Sequence, residues 1–389
     1  MKSFQPRNLA SAATAALCAM GLAACGATGP GPGATASFEI GPVDLSAVCP
    51  ETVVVQTDWN PQAEHGGAYQ LLGPDPWIDA DAKKVTGPLF SDGEYTGVDI
   101  EIRAGGPAIG FQSVVSQMYS DDSILIGAVN TDEAVQTAAE FPTTAVMAPL
   151  DKSPMMIMWD PATYPEVDEI ADLKDAGATV LYYEGSSFMD YLTGAGILDE
   201  DQVDGSYDGS PANFVAAGGA SAQVGFASTE PYNYEHVIEP WMKPVAYQLL
   251  HDAGFTSYKS AWTVRSGELE DNAACLEQLV PVLQRGQTDY MADPAAANAI
   301  IVDAVSAYNS GWVYGEANAD FAVDLMRTDG LVGNGTDGAL GSQDPARIQE
   351  IIDLLRPVFS RQGITVPDDL DPEQIATNRF IDPAIALSE

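Results

Sequence analysis

Residues 52–69 read T-V-V-V-Q-T-D-W-N-P-Q-A-E-H-G-G-A-Y. Thr52–Gln56 is rich in β-branched side chains, which suit a pleated strand, and Pro61 then opens a helix expected over 61–72. A strand running straight into a helix is the first half of a βαβ unit. Short apolar runs recur at 98–103, 124–129, 144–148, 155–159, 179–183 and 223–227. Helix-length segments separate or follow them at 109–119, 132–140, 166–176, 188–196, 211–217, 241–253, 270–284, 293–308 and 344–360. The class is α/β. Several of the strands are nearly continuous in apolar residues, as a sheet covered on both faces requires.

The chain has 389 residues, 46% of them hydrophobic, and a mean hydropathy of -0.03. That is too apolar for a disordered chain and too polar for a multi-span membrane protein. Sixteen Lys and Arg stand against 56 Asp and Glu, a net charge of -40. A surface so one-sided repels a phosphate backbone, so nucleic acid is excluded as a partner.

At the N-terminus Lys2 and Arg7 precede an uncharged stretch, Leu9 to Ala24, and the tetrad Leu22-Ala23-Ala24-Cys25. Residues 1–24 read as an export signal, whose uncharged run from Leu9 to Ala24 is too short to serve as a membrane span. The tetrad resembles a bacterial lipoprotein signal, which implies that Cys25 is lipidated and that the membrane is reached through this anchor only, outside the cytoplasm. Residues 25–44, rich in Gly, Pro and Ala, read as a flexible tether. With Cys18 in the signal, Cys49 and Cys275 remain for the folded part. An oxidising exterior permits a disulfide between them, and two separate buried thiols are the alternative. Two isolated cysteines and three histidines make no zinc site, so no metal and no cofactor is expected.

The stretch A-P-L-D-K-S-P at 148–154 lies between two strands and suits a crossing from one lobe to another. A return is expected within 230–243, rich in aromatics and Pro. The expected lobes are therefore 45–150 with 240–389, and 151–239. Two lobes joined by two crossings can close on a small molecule.

The segment Trp59-Asn60-Pro61 to His65, with Tyr69 after it, resembles the NMT1-like group of ABC-importer solute-binding proteins, which bind nitrate, sulfonates, thiamine pyrimidine precursors or riboflavin. Further matches follow in order. They are V-D-I-E-I-R-A-G-G-P at 98–107, Ser153-Pro154, I-A-D-L-K-D-A-G at 170–177, E-G-S-S-F-M-D-Y-L-T-G-A-G-I at 184–197 and A-S-T-E-P-Y at 227–232. The resemblance spans about residues 50–310. It implies a two-lobed periplasmic-binding-protein fold, type II-like, with each lobe a mostly parallel sheet flanked by helices and a cleft between the lobes. It also implies a small-molecule ligand, ABC permease and ATPase partners, and a monomer. Residues 73–97 are longer than the family's pattern at that point and are expected to reshape the cleft rim, with Trp77 as a lid contact.

The chemistry of the matched residues bears on the ligand. Trp59, at a strand's end, offers a face for a flat ring, unless it caps the core. Asn60 offers donors and an acceptor, or is only a helix N-cap. His65 can face the same side or be a structural histidine, and Tyr69, one turn on, can join it or belong to the core. Gly106 and Pro107 in one lobe, and Ser186, Ser187 and Phe188 in the other, open helices whose N-termini are expected to face one another across the cleft. Those Ser residues are equally explained as N-caps. Ser153 lies at the first crossing. Glu230 and Tyr232 lie near the second, where Glu230 can accept from an aminopyrimidine or from backbone. Arg103 and Lys152 are the cations expected near the cleft.

Gly333–Gly338 satisfies G-x-G-x-x-G but follows no opening strand, and the acidic run at 199–208 lacks the Gly and the closing Glu of a calcium loop. With no H-E-x-x-H, G-x-S-x-G or G-K-[ST] and only three histidines, no catalytic residue is assigned and the chain is read as a binding protein, not an enzyme. A planar heterocycle, a thiamine pyrimidine precursor or a flavin, is the preferred ligand. Nitrate or an alkyl sulfonate is the alternative ligand. A pyrimidine-synthase-like or hydrolytic enzyme on the same fold is the alternative activity.

Overall fold

In a computed structural model, residues 38–388 are described. The expected signal, Cys25 and most of the tether lie outside them. Twelve strands are present among the described residues: β1 Thr52–Gln56, β2 Trp77–Asp79, β3 Lys84–Ser91, β4 Glu94–Arg103, β5 Ile124–Val129, β6 Thr143–Met147, β7 Met155–Trp159, β8 Thr179–Leu181, β9 Val203–Asp204, β10 Ser221–Phe226, β11 Ala246–Leu249 and β12 Ala261–Arg265. Twelve α-helices accompany them: α1 Gly66–Tyr69, α2 Val114–Ser120, α3 Thr131–Thr137, α4 Asp172–Ala176, α5 Ser187–Gly194, α6 Ala212–Ala216, α7 Glu230–His236, α8 Ala273–Ala292, α9 Ala295–Tyr308, α10 Glu316–Thr328, α11 Pro345–Arg361 and α12 Pro372–Ile375.

The strands form two sheets, β2-β3-β4-β1-β5-β12-β6 and β11-β7-β10-β8-β9. Both are mixed, where mostly parallel sheets were expected. β1 is parallel to β4 and β5, and β8 to β10 and β9, because helices intervene along the chain. Antiparallel neighbours are added by β12 and by the 77–103 meander in the first sheet, and by β7 and β11 in the second. Along β1, Val53 and Val55 enter one apolar cluster while Val54 enters a second. Met156 and Met158 of β7 join the first cluster and Ile157 and Trp159 the second. Both sheets are therefore covered on both faces, which is why their strands carry so little polar alternation.

Three expectations change. The helix expected at 241–253 is the strand β11, paired with β7, so the second sheet draws on residues to 249 and the chain returns later than 240. The returning crossing is 250–260, and the outgoing one is 148–154. The 73–97 segment builds β2, β3 and the start of β4 at the outer edge of the first sheet, and Trp77 pairs there with Thr86. Three strands of the order separate it from β5 and the cleft side, so Trp77 lines none of the cavities described below. Finally, 61–72 is helical only as a 3-10 turn at Ala63–His65 followed by the single turn α1. Gly66 and Gly67 sit against Tyr290 and Gln287 of α8, a close packing that larger side chains would prevent.

Cys49 and Cys275 are joined in a disulfide, tying the segment before β1 to α8. No helix among the described residues is long and apolar enough to cross a membrane.

Candidate functional site

A cavity of about 340 Å³ lies between the two sheets. The first sheet contributes the loops that follow β1 and β5, with Asp58, Trp59, Asn130, Asp132 and Glu133, and the start of α2 at Ser113. Across from them, the turn before α5 supplies Tyr183 and Gly185–Phe188, and Phe226 ends β10. Both crossings complete the wall, through Ser153 on one and Leu250, Phe255 and Ser257–Lys259 on the other. The position is the carboxyl end of parallel strands β1 and β5, where open α/β sheets leave a crevice.

Trp59 is seated by the backbone behind it. Gly105 donates its N–H to the Trp59 carbonyl at 2.8 Å, and a Cβ at Gly105 would stand 2.2 Å from the Thr57 oxygen. Gly106 has φ +56, and its Cβ would meet the indole at 2.6 Å. The Gly-Gly-Pro motif therefore backs the indole and does not present N–H groups to the cavity, and Gly106 and Pro107 line none of it. Their place near a helix N-terminus is taken by Ser113, which caps α2 by accepting from Ser116 N–H at 3.1 Å. Around Trp59 stand Phe111, Tyr183 and Trp312, with ring centroids 6.1, 6.4 and 6.0 Å away.

Asp58 is the electrostatic centre. Its Oδ2 accepts from Lys259 Nζ at 2.6 Å and Ser260 Oγ at 2.8 Å, and its Oδ1 lies 2.8 Å from His65 Nε2. Burial alone would raise the carboxyl, but Lys259 and His65 outweigh it and hold Asp58 far below the usual carboxylate range. Burial likewise opposes the charge of Lys259, and Asp58 reverses that and raises it. Asp132 accepts from Ser187 Oγ at 2.5 Å and Ser257 Oγ at 2.7 Å, so one carboxylate on α3 joins α5 to the returning crossing. Glu133 beside it has a buried Oε1 with no partner, and burial, then the Asp132 charge, push its carboxyl up to about 7.

Of the other expected ligand residues, Ser153, Ser186 and Phe188 line the cavity. Ser153 Oγ accepts from Met155 N–H at 3.2 Å and Ser186 Oγ donates to the Tyr183 carbonyl at 2.7 Å. Ser187 also lines it, committed to Asp132. Four expected contacts lie elsewhere. Asn60 is buried and accepts from Ser310 Oγ at 3.1 Å, because the chain turns inward after Trp59. His65 is 1% exposed and acts on Asp58 from behind. Tyr69 is fully in the core. Tyr232 points away from the cavity, packing on His236 and Phe321 at 4.8 and 5.6 Å. Glu230 accepts from Phe226 N–H at 2.7 Å and faces a small neighbouring space beyond Trp59. Arg103 is absorbed by Glu101 and Asp121, and Lys152 does not line the cavity.

The residues that sequence reasoning missed are Asp58, Lys259, Asp132, Glu133, Tyr183 and Phe226. Asp58 adjoins the quoted Trp59, and Lys259 is one of only 16 cations in the chain, a scarcity that could have drawn attention to it. The others come together only through the two crossings.

Arg347 of α11 holds those crossings. Its guanidinium donates to the carbonyls of Asp151 and Thr256 and stacks 3.7 Å over the Tyr258 ring.

No protein-family model and no curated protein sequence matches the chain. Solved structures do. The periplasmic aliphatic sulphonate binding protein SsuA from Escherichia coli matches with 16% identity and a TM-score of 0.50, over 83% of this chain and 94% of that one. The ligand binding component of an ABC-type import system from Staphylococcus aureus, solved with zinc bound, matches with 11% identity and a TM-score of 0.50, over 85% and 98%. The chain has a periplasmic-binding-protein fold. In this chain the fold is two mixed sheets flanked by helices, joined by two crossings with a cavity between them. Among the described residues of this periplasmic-binding-protein fold, no cluster of three or more His, Cys, Asp and Glu is arranged to hold a metal ion.

Proposed function

We propose that the chain is the extracytoplasmic solute-binding lipoprotein of an ABC importer, anchored through Cys25, that closes two lobes on a small planar heterocycle and hands it to a permease and its ATPase. The observation carrying this is the 340 Å³ cavity walled by both sheets and both crossings, so that its volume depends on how the two halves sit. The likeness to import-system binding proteins supports the same role.

The lining favours a ring with N–H donors. Trp59, Tyr183, Phe188 and Phe226 offer aromatic surface, and Asp132 and Glu133 offer acceptors. Lys259, the one cation in the lining, is neutralised by Asp58. An aminopyrimidine of the thiamine-precursor kind meets these demands, and a flavin presents a larger version of them. A second reading, an alkyl sulfonate or nitrate, has its own support in the N-terminus of α5 at Ser186 and Ser187 and in the likeness to SsuA.

The test is thermal denaturation with pyrimidines, flavins, nitrate and alkyl sulfonates, followed by incubation of any ligand with catalytic amounts of protein. A ligand at about 100 times its Kd should add about 2.7 kcal/mol. Stabilisation by an aminopyrimidine or flavin, with the compound recovered unchanged, is expected. Stabilisation by anions alone would establish the second reading, and turnover over many cycles would make the protein an enzyme.

A further inference from the structure

Beyond the inter-sheet cavity, a narrow space of about 50 Å³ passes Trp59, Tyr183 and Phe226 and reaches Glu230 and Trp312. On the far side of Trp312 it meets a chamber of about 450 Å³. The chamber lies between α7 and the 205–211 loop of the second sheet's layer and the 309–315 loop that follows α9. We propose that this chamber is a second binding site, separate from the inter-sheet cavity, for an organic ammonium ion carried on an apolar body.

Three features of the chamber select such a ligand. Its walls are Tyr207, Tyr234 and Trp312, with Pro211, Ile238 and Pro240. Aromatic faces attract a cation through their quadrupole and shelter an apolar body at once. The ionic side chains that line it are Glu230 and Glu239, both acidic, and no Lys, Arg or His lines it. Glu230 also lacks an ion pair in the folded chain among the described residues. Burial, with a further push from Glu64, raises its carboxyl to about 7, the response of a carboxylate without a counter-charge.

Nearby basic side chains are already committed. Lys243 lies 3.0 Å from Asp160 and 3.8 Å over the Trp241 ring, and exposed His236 turns toward Glu235. The chamber's walls are also held from both sides. Ser310 donates to Asn60 at 3.1 Å, and Asn233 Nδ2 donates to the Val313 carbonyl at 3.4 Å while its Oδ1 accepts from Asn318 at 2.6 Å. A net charge of -40 draws cations toward any such mouth.

Benzylammonium, benzyl alcohol and benzoate, matched in shape and differing in charge, are titrated into the full chain by calorimetry at low salt. Saturable binding of benzylammonium at least tenfold tighter than benzyl alcohol, with no binding of benzoate, is expected. Glu230→Gln retains an acceptor for Phe226 N–H and should weaken benzylammonium at least tenfold. Trp312→Leu, which removes only one aromatic wall, should weaken it severalfold. Asp132→Asn, in the other cavity, should leave it as it was. Equal affinity for benzyl alcohol, unchanged affinity in Glu230→Gln, or loss in Asp132→Asn alone would overturn the proposal. The last result would put the ammonium in the inter-sheet cavity and leave the importer reading standing.

Discussion

Asp58 accepts from three side chains at once, and its neighbour Trp59 forms the indole wall of the cavity. Removing Lys259 strands that carboxylate in a nearly closed place. Lys259→Met should therefore cost about 3 kcal/mol in urea unfolding, the usual result of breaking one side of a buried pair. Trp59→Ala should leave the fold standing and abolish most of the ligand-induced rise in Tm, and an undiminished rise would remove the indole from the site. Two carboxyls impose a pH dependence of opposite sign to Asp58. Glu133 and Glu230 each titrate at about 7 when folded, above an unfolded glutamate, so the native state binds more protons than the unfolded one between about pH 4.5 and 7. Their contribution is thus lost as pH rises through that window, whereas that of Asp58, whose folded pKa is lowered, is lost only as pH falls below about 4. Stability should decline from pH 5 to 8 by a few kcal/mol, and Glu133→Gln with Glu230→Gln should flatten the decline. Trp59 was legible because a strand end in an open α/β fold faces a crevice. Asn60, His65 and Tyr69 lie outside the cavity lining: Asn60 is turned inward to Ser310, and helical spacing from 61 could not show the 3-10 turn at Ala63–His65 and the single turn after it that bury His65 and Tyr69.

Among the elements, β1, β5 and β7 run as read from their β-branched or apolar runs. β11 and β12 escaped notice for a physical reason. Residues 241–253 carry enough apolar side chains to fit either period, and only pairing with β7 decides for strand. β12 pairs antiparallel with β5 and β6, which are far from it in the chain, and no local turn announces it. The cavity shares that non-local origin, since Ser153 on one crossing and Leu250, Phe255 and Ser257–Lys259 on the other complete a wall begun by both sheets. α11 matters for the same reason, because Arg347 grips both crossings from it. Arg347→Ala removes three carbonyl and aromatic contacts from a mostly buried site and should cost about 2–4 kcal/mol in denaturant midpoint experiments. It should also shift ligand affinity, although Arg347 lines neither cavity. A variant that is less stable but binds normally would separate α11 from lobe motion.

At the scale of the molecule, charge dominates. A net charge of -40 repels itself at low ionic strength, where the Debye length is about 30 Å at 0.01 M. Raising NaCl from 10 to 500 mM should raise Tm by several degrees in calorimetry, and a falling Tm would show that specific ion pairs outweigh the repulsion. The Cys49–Cys275 bond spans 226 residues of sequence and should stabilise the fold by about 4 kcal/mol, lost on reduction under denaturing titration. That bond also has a mechanical meaning. A tug applied to the two chain ends bypasses β1 to β12 altogether, travelling through sulfur from Cys49 into α8. About 800 Å of extensible backbone, at about 3.5 Å per residue, stays locked out of the load path until a reductant cuts the shortcut. While the bond is intact, a pull at the two ends therefore leaves unloaded every residue that walls the inter-sheet cavity, since all of them lie between Cys49 and Cys275.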